Sequence, residues 1–205
     1  MEHLVIAISR EFGSGGKFIG EQTAQRLGIT FYDKVLLQLA AERSGLSPEF
    51  LEKNEEQIAG SFLFNLSTAA HAASNFFYQY NVSMSDKAFF AQAAVIRELA
   101  EKESCVIVGR CAEHVLRNHK KCLKVFLYAP LDWRIREVAR DYNMSERDAK
   151  ERISRVDKGR ASYYRHYTGD TWGDVRNHDL CINTAAVGLE GALDTILTMA
   201  RAMEA

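Results

Sequence analysis

The stretch Ile8-Ser9-Arg10-Glu11-Phe12-Gly13-Ser14-Gly15-Gly16-Lys17 decides the fold, because it joins two patterns of different period. Before it, residues 4–8 form a short unbroken apolar run of the kind that becomes a buried strand. After it, Ile19, Thr23, Ala24 and Leu27 recur at helical spacing and mark the core-facing side of a helix. Between strand and helix, the glycines let successive backbone N–H groups turn toward one concavity. The helix N-terminus adds partial positive charge there, and Lys17 can reach distal phosphates. Such a loop holds polyphosphate; the competing reading, a turn that merely permits tight strand–helix packing, does not explain a lysine at the helix start. The full Walker pattern is not met, since Glu11 stands where its first glycine belongs and Phe18 where a hydroxyl would meet magnesium. A dinucleotide-binding fingerprint fits worse, because Gly13 and Gly15 would call for a third glycine at Phe18.

Outward from this loop, apolar runs recur at residues 29–32, 105–108, 123–128 and 179–182. Several lack polar alternation, and the intervals between them are long enough for crossover helices. The arrangement predicts an α/β fold with a five-stranded parallel sheet covered on both faces. The last helix presents Leu189, Leu193, Ile196, Leu197 and Ala200 as a core-facing stripe. The interval 33–102 is too long for a simple crossover and carries at least three helical patterns, so it is read as a helical insert. Asp33 is positioned to cap the first of these and Ser47-Pro48 opens the second. The middle of the insert holds Phe62, Phe64, Phe76, Phe77, Tyr78 and Tyr80. These residues suit helical core packing, with a base-stacking wall or a homo-oligomer surface as alternatives. Ser145-x-x-Asp148 is a capping signal for a helix that carries Arg152 and Arg155.

The 205 residues, 47% apolar and 26% charged, fit a single globular domain. No apolar run approaches the roughly 20 residues that span a bilayer, and the N-terminus lacks the charged and cleavable features of an export signal. The four cysteines form no C-x-x-C pair. A cytoplasmic protein with no membrane partner is expected. A net charge of -1 argues against general nucleic-acid binding. Within residues 130–176, however, eleven Lys and Arg stand against nine Asp and Glu. That window reads either as a solvated helical surface laced with ion pairs or as a cationic lid over polyphosphate, held open without ligand by repulsion among its arginines. His71, His114, His119, His166 and His178 show no metal-ligand spacing.

Taken in order along the chain, the glycine loop, Phe31-Tyr32-Asp33-Lys34, Val106-Ile107-Val108-Gly109-Arg110, Asp157-Lys158-Gly159-Arg160-Ala161-Ser162-Tyr163-Tyr164, Tyr167-Thr168-Gly169 with Trp172-Gly173, and Asp179-Leu180-Cys181-Ile182-Asn183 resemble the cytidylate kinase-like family. These are relatives of bacterial cytidylate kinase among the P-loop nucleoside monophosphate kinases. The resemblance covers nearly the whole chain and implies a P-loop NTPase fold, with ATP and Mg2+ as cofactors and small-molecule nucleotides as substrates. It implies that Lys17 and the backbone of Gly13, Ser14, Gly15 and Gly16 hold the donor phosphates. Arg110 would grip the acceptor phosphate, Asp33 would lie near the acceptor, and Asp157 and Arg160 would close over it. Arg134 matches the first lid arginine; the paired arginines expected beyond it fall on Glu137 and Val138, so Arg136 or Arg140 would substitute. Ser14 is the candidate for the missing magnesium hydroxyl. The expected reaction is transfer of the γ-phosphoryl of ATP to a small phosphorylated acceptor such as CMP. A kinase of the same fold acting on another small molecule, and a non-catalytic nucleotide-binding module, remain alternatives.

Overall fold

The computed structural model describes residues 3–47, 49, 51 and 83–204. Five strands form one sheet: β1 (Val5–Arg10), β2 (Thr30–Tyr32), β3 (Cys105–Val108), β4 (Cys122–Tyr128) and β5 (Leu180–Asn183). They lie in the order β2-β3-β1-β4-β5, and every pairing is parallel. The helices are α1 (Gly16–Leu27), α2 (Val35–Ser44), α3 (Met84–Lys102), the short α4 (Ala112–Val115), α5 (Leu131–Asp141), α6 (Glu146–Thr168) and α7 (Thr184–Glu204), with a 3-10 turn at Val175–Asn177. Within α7, Gly188 leaves the helical region at φ 73° and kinks it.

Alternation along the strands divides the core into two layers. Val5, Ala7, Cys105 and Ile107 face α2, α3 and the Tyr163 and Tyr164 side chains of α6. Ile6, Ile8, Val106, Val108, Leu123, Val125 and Leu127 face Ile19 and Ala24 of α1 and Ala192, Ile196 and Ala200 of α7. With both faces covered, the strands carry continuous apolar runs, as expected of a parallel sheet. A third, smaller cluster of Ile135, Val138, Ala149 and Ile153 joins α5 to α6, with Phe12 of the glycine loop packed against it.

Two local expectations change. β1 runs on to Arg10, because Ser9 and Arg10 continue the ladder against Phe126 and Leu127 of β4; two loop residues are therefore strand. Asp33 does not cap α2, whose N-cap position is Lys34 with no side-chain cap bond. A helical turn does open at Ser47, whose carbonyl accepts from Leu51 N–H at 3.2 Å. Ser145 caps α6 as expected, accepting from Asp148 N–H at 3.2 Å, and Ser83 caps α3 in the same way. The aromatic stretch from Phe62 to Tyr80, and with it the homo-oligomer surface, lies outside the described residues.

Candidate active site

In the sheet order, β1 has β3 on one side and β4 on the other, so the loops leaving these strands diverge at their C-terminal ends. A crevice at such a point is where ligands bind in open parallel sheets. The glycine loop occupies it. Gly13 and Gly15 both adopt φ 82°, where an ordinary side chain is strained. A Cβ at Gly13 would lie 2.7 Å from Val138, and one at Gly15 would lie 2.5 Å from Leu189. The loop is thus pressed between α5 and α7, and only glycine fits. Gly15 is the N-cap of α1 and provides no capping side chain, so the first N–H groups of the helix are left to a ligand. Lys17 is exposed in the first turn.

Ser14 is fully buried, its hydroxyl within hydrogen-bond distance of the carbonyl oxygens of Glu11 (2.9 Å) and Leu127 (3.2 Å). It anchors the loop to the end of β4. Phe18 is apolar and exposed. The loop therefore extends no exposed side-chain oxygen toward a magnesium ion, and the described residues contain no cluster of three or more His, Cys, Asp or Glu suited to a metal. The backbone cradle and Lys17 do fit a polyphosphate. Magnesium would accompany it on phosphate oxygens and water.

Glu11, out of place by the Walker pattern, has a structural task. Its N–H donates to Leu127 O at 2.9 Å, and its carboxylate accepts from Ala129 N–H at 3.1 Å while lying 3.3 Å from Arg134 Nε. Burial pushes its pKa up; the Ala129 bond and the Arg134 charge oppose that rise. Arg134 is itself buried, donating to Ala129 O at 3.0 Å, Phe12 O at 3.1 Å and Asp157 Oδ2 at 2.5 Å. The other Asp157 oxygen accepts from Phe12 N–H at 2.8 Å. Arg160 donates to Arg10 O at 3.1 Å. The structure thus brings Arg134, Asp157 and Arg160 to the loop, where they brace its backbone.

On the other side of β1, Gly109, Arg110 and Cys111 take φ of 80°, 62° and 54° in succession. Two consecutive non-glycine residues in the left-handed region cost energy, and such strain clusters at functional sites. The turn leaves Arg110 buried at the end of β3. Asp33 is half-buried at the end of β2, the strand beyond β3. Pattern reading overlooked two residues here. Glu113 is buried, with Ser9 Oγ 3.4 Å from its Oε1, and desolvation pushes its pKa up to about 7. Arg10 lies across Gly16 and Gly109, close enough that a Cβ on Gly16 would sit 2.6 Å from its stem and one on Gly109 2.2 Å from its guanidinium. The available signal was an arginine immediately before a glycine loop, without a motif to say what it meets.

The arginines of residues 130–176 do not simply repel one another. Arg140 pairs with Glu137 and Asp141 on the surface, Arg147 with Asp148, and Arg176 with Asp174, whose pKa falls to about 2 beside that guanidinium. Arg136 is exposed. Arg152 lies over the rings of Tyr142 (3.9 Å) and Phe12 (5.3 Å). Local pairing and cation–π contact thus replace the expected repulsion. The aromatic residues near the end of this window pack into the core. Tyr167 stacks on Phe89 at 4.0 Å, and Trp172 meets Phe126 edge-on at 5.5 Å.

A profile of the cytidylate kinase-like family matches residues 5–186, a span that takes in the glycine loop, the Gly109-Arg110 turn and α5 and α6. The chain belongs to the cytidylate kinase-like family. No protein of curated function matches it. Among solved structures, an uncharacterized protein from Eubacterium ventriosum is 27% identical, with a TM-score of 0.71, covering 97% of this chain and 99% of that one. A shikimate kinase from Bacteroides thetaiotaomicron is 14% identical at a TM-score of 0.52, covering 96% and 97%. One from Acinetobacter baumannii, in complex with shikimate, is 15% identical at 0.50, covering 96% and 92%. At that identity the shikimate kinases speak for the fold alone, which is the P-loop NTPase fold. Membership of the cytidylate kinase-like family together with this fold supports a small-molecule kinase. Among the described residues, no helix is long and apolar enough to cross a membrane.

Proposed function

We propose that this member of the cytidylate kinase-like family is a cytoplasmic enzyme that transfers the γ-phosphoryl group of ATP to a small phosphorylated acceptor, a nucleoside monophosphate such as CMP. The observation that carries the reading is a juxtaposition. The Gly13 to Gly16 cradle with Lys17 closes the end of β1, and the Gly109-Arg110 turn closes the end of its neighbour β3. The first suits the donor's β- and γ-phosphates and the second an acceptor phosphate. An acceptor oxygen would attack the γ-phosphorus as the bond to the ADP oxygen breaks. Such a transfer needs positioning and cations more than covalent help. Lys17 would neutralise charge on the transferred group, Arg110 would orient the acceptor, and Arg160 would approach from the lid side, with Asp33 near the acceptor. Arg134 and Asp157 would contribute by keeping the loop in shape. Magnesium would supply further charge neutralisation on the phosphate oxygens. Arg136 and Arg140 lie exposed on α5, and Arg140 is paired with Glu137 and Asp141.

The test is a coupled ADP-release screen with Mg-ATP across nucleosides, their monophosphates and non-nucleotide acceptors including shikimate. Turnover with a nucleoside monophosphate supports the reading; turnover with a non-nucleotide acceptor alone moves it to a different acceptor class. ATP binding without turnover identifies a non-catalytic module. Lys17→Ala should lower kcat by about a hundred- to a thousandfold with the fold intact by circular dichroism, since it removes a cation from the developing charge. Unchanged kcat would remove the glycine loop from the chemistry.

A further inference from the structure

Arg10 is a charged residue for which the reading above has no use, and the fold has made room for it from two directions. Its stem fills the space a Cβ on Gly16 would need, at 2.6 and 2.8 Å, and its guanidinium fills the space a Cβ on Gly109 would need, at 2.2 Å from Nη1. Gly16 opens α1 on the donor side, and Gly109 starts the acceptor turn. Arg10 therefore runs from the donor loop at Gly16 to the acceptor turn at Gly109, the glycines that Lys17 and Arg110 directly follow. Its backbone is fixed by the ladder to Leu127 and by the Arg160 bond to its carbonyl. Glu113 is buried, with Ser9 Oγ 3.4 Å from its Oε1, and the Arg10 charge opposes the rise that burial imposes on its carboxyl.

We infer that Arg10 is a catalytic residue that bridges donor and acceptor phosphates, its guanidinium meeting the transferred phosphoryl group. The inference rests on the kinase reading. A planar guanidinium suits this place because its fork can donate to oxygens of two phosphates at once, which an ammonium cannot match. Beside it, the Arg10 charge opposes the rise that burial imposes on the Glu113 carboxyl.

The experiment measures binding of two probes by calorimetry, Mg-ATP, which fills the donor side, and diadenosine pentaphosphate with magnesium, whose phosphate chain reaches from donor to acceptor. Arg10→Met keeps the stem that packs on Gly16 and removes the charge. It should leave the Kd for Mg-ATP within about threefold and weaken the pentaphosphate by about ten- to a hundredfold, the span expected for charge-assisted hydrogen bonds. Arg10→Lys should fall between Arg10→Met and wild type for the pentaphosphate, and it provides the comparison if the methionine variant does not fold. Equal weakening of both probes by the Arg10 variants would make Arg10 a loop support, and no weakening would make it a bystander. A wild type that binds Mg-ATP but gains nothing from the longer phosphate chain overturns the bridge alone, whereas a wild type that binds neither probe overturns the kinase reading and the bridge with it.

Discussion

At the scale of single residues, burial pushes two acids at the phosphate loop in the same direction but with different compensation. Glu11 exchanges hydration for Ala129 N–H and the Arg134 guanidinium, while Glu113 finds less compensation and its carboxyl is pushed up to about 7. A folded-state pKa above the ordinary value of 4.5 means that the folded chain keeps a proton the unfolded chain loses. That contribution to stability is fully present below the unfolded pKa and is lost as pH rises through the folded one. The groups facing Glu113 are Arg10 of β1, Cys122 of β4 and Tyr164 of α6. Burial pushes Cys122 up to about 12 and raises Tyr164 as well, so neither titrates in that window. Glu113→Gln should therefore lose the fall in stability that wild type shows between about pH 5 and about pH 8, a difference of about 3 kcal/mol. Urea unfolding of both proteins across that range checks it, and parallel stability curves would mean that Glu113 is ionised throughout. Neither acid's role was legible in the sequence. Glu11 departs from the Walker pattern, and its partners Ala129 and Arg134 lie far along the chain, so adjacency could not suggest them.

Elements were more legible than contacts. Short, mainly apolar runs located all five strands, and Ser145-x-x-Asp148 located the start of α6, because period and capping are local properties that survive without a partner. Where the expectations slipped, a partner decided. β4 extends β1 to Arg10, and α2 begins without the cap that Asp33 could have provided. The arginines of residues 130–176 show the same limit: charge density was visible in the sequence, but which arginine is buried was not. Arg134, in the first turn of α5, ties Ala129, Phe12 and Asp157 together from a buried position, whereas Arg140, further along the same helix, pairs in solvent. Arg134→Ala should thus cost about 3–5 kcal/mol, because it leaves the Glu11 and Asp157 carboxylates near Phe12 without their common cation. Arg140→Ala should leave the urea midpoint where it was. Similar midpoints for the two variants would show that the brace does not bear on stability.

Across the whole molecule, α6 connects the site to the core. Its N-terminal half packs Ala149 and Ile153 against Ile135 and Val138 of α5, its middle holds Phe12 through Asp157, and its last turns bury Tyr163 and Tyr164 against the sheet. The α5–α6 pair meets the glycine loop through Phe12, and through Val138 at Gly13, so opening this pair disturbs the loop's support. A ligand seated in the loop should then favour the closed arrangement by mass action, up to about 2.7 kcal/mol at a hundred times its Kd. Amide exchange reads this directly, since the local opening that exposes residues 144–172 would break the ligand's site. With Mg-ATP and diadenosine pentaphosphate at such concentrations, exchange there should slow by roughly a hundredfold, while β1, buried at the centre of the sheet, stays unexchanged with or without ligand over the same labelling times. Equal protection of residues 144–172 in the free and bound protein would mean that α5 and α6 form a rigid wall beside the phosphate loop, and that water is kept from the reaction by some other part of the chain.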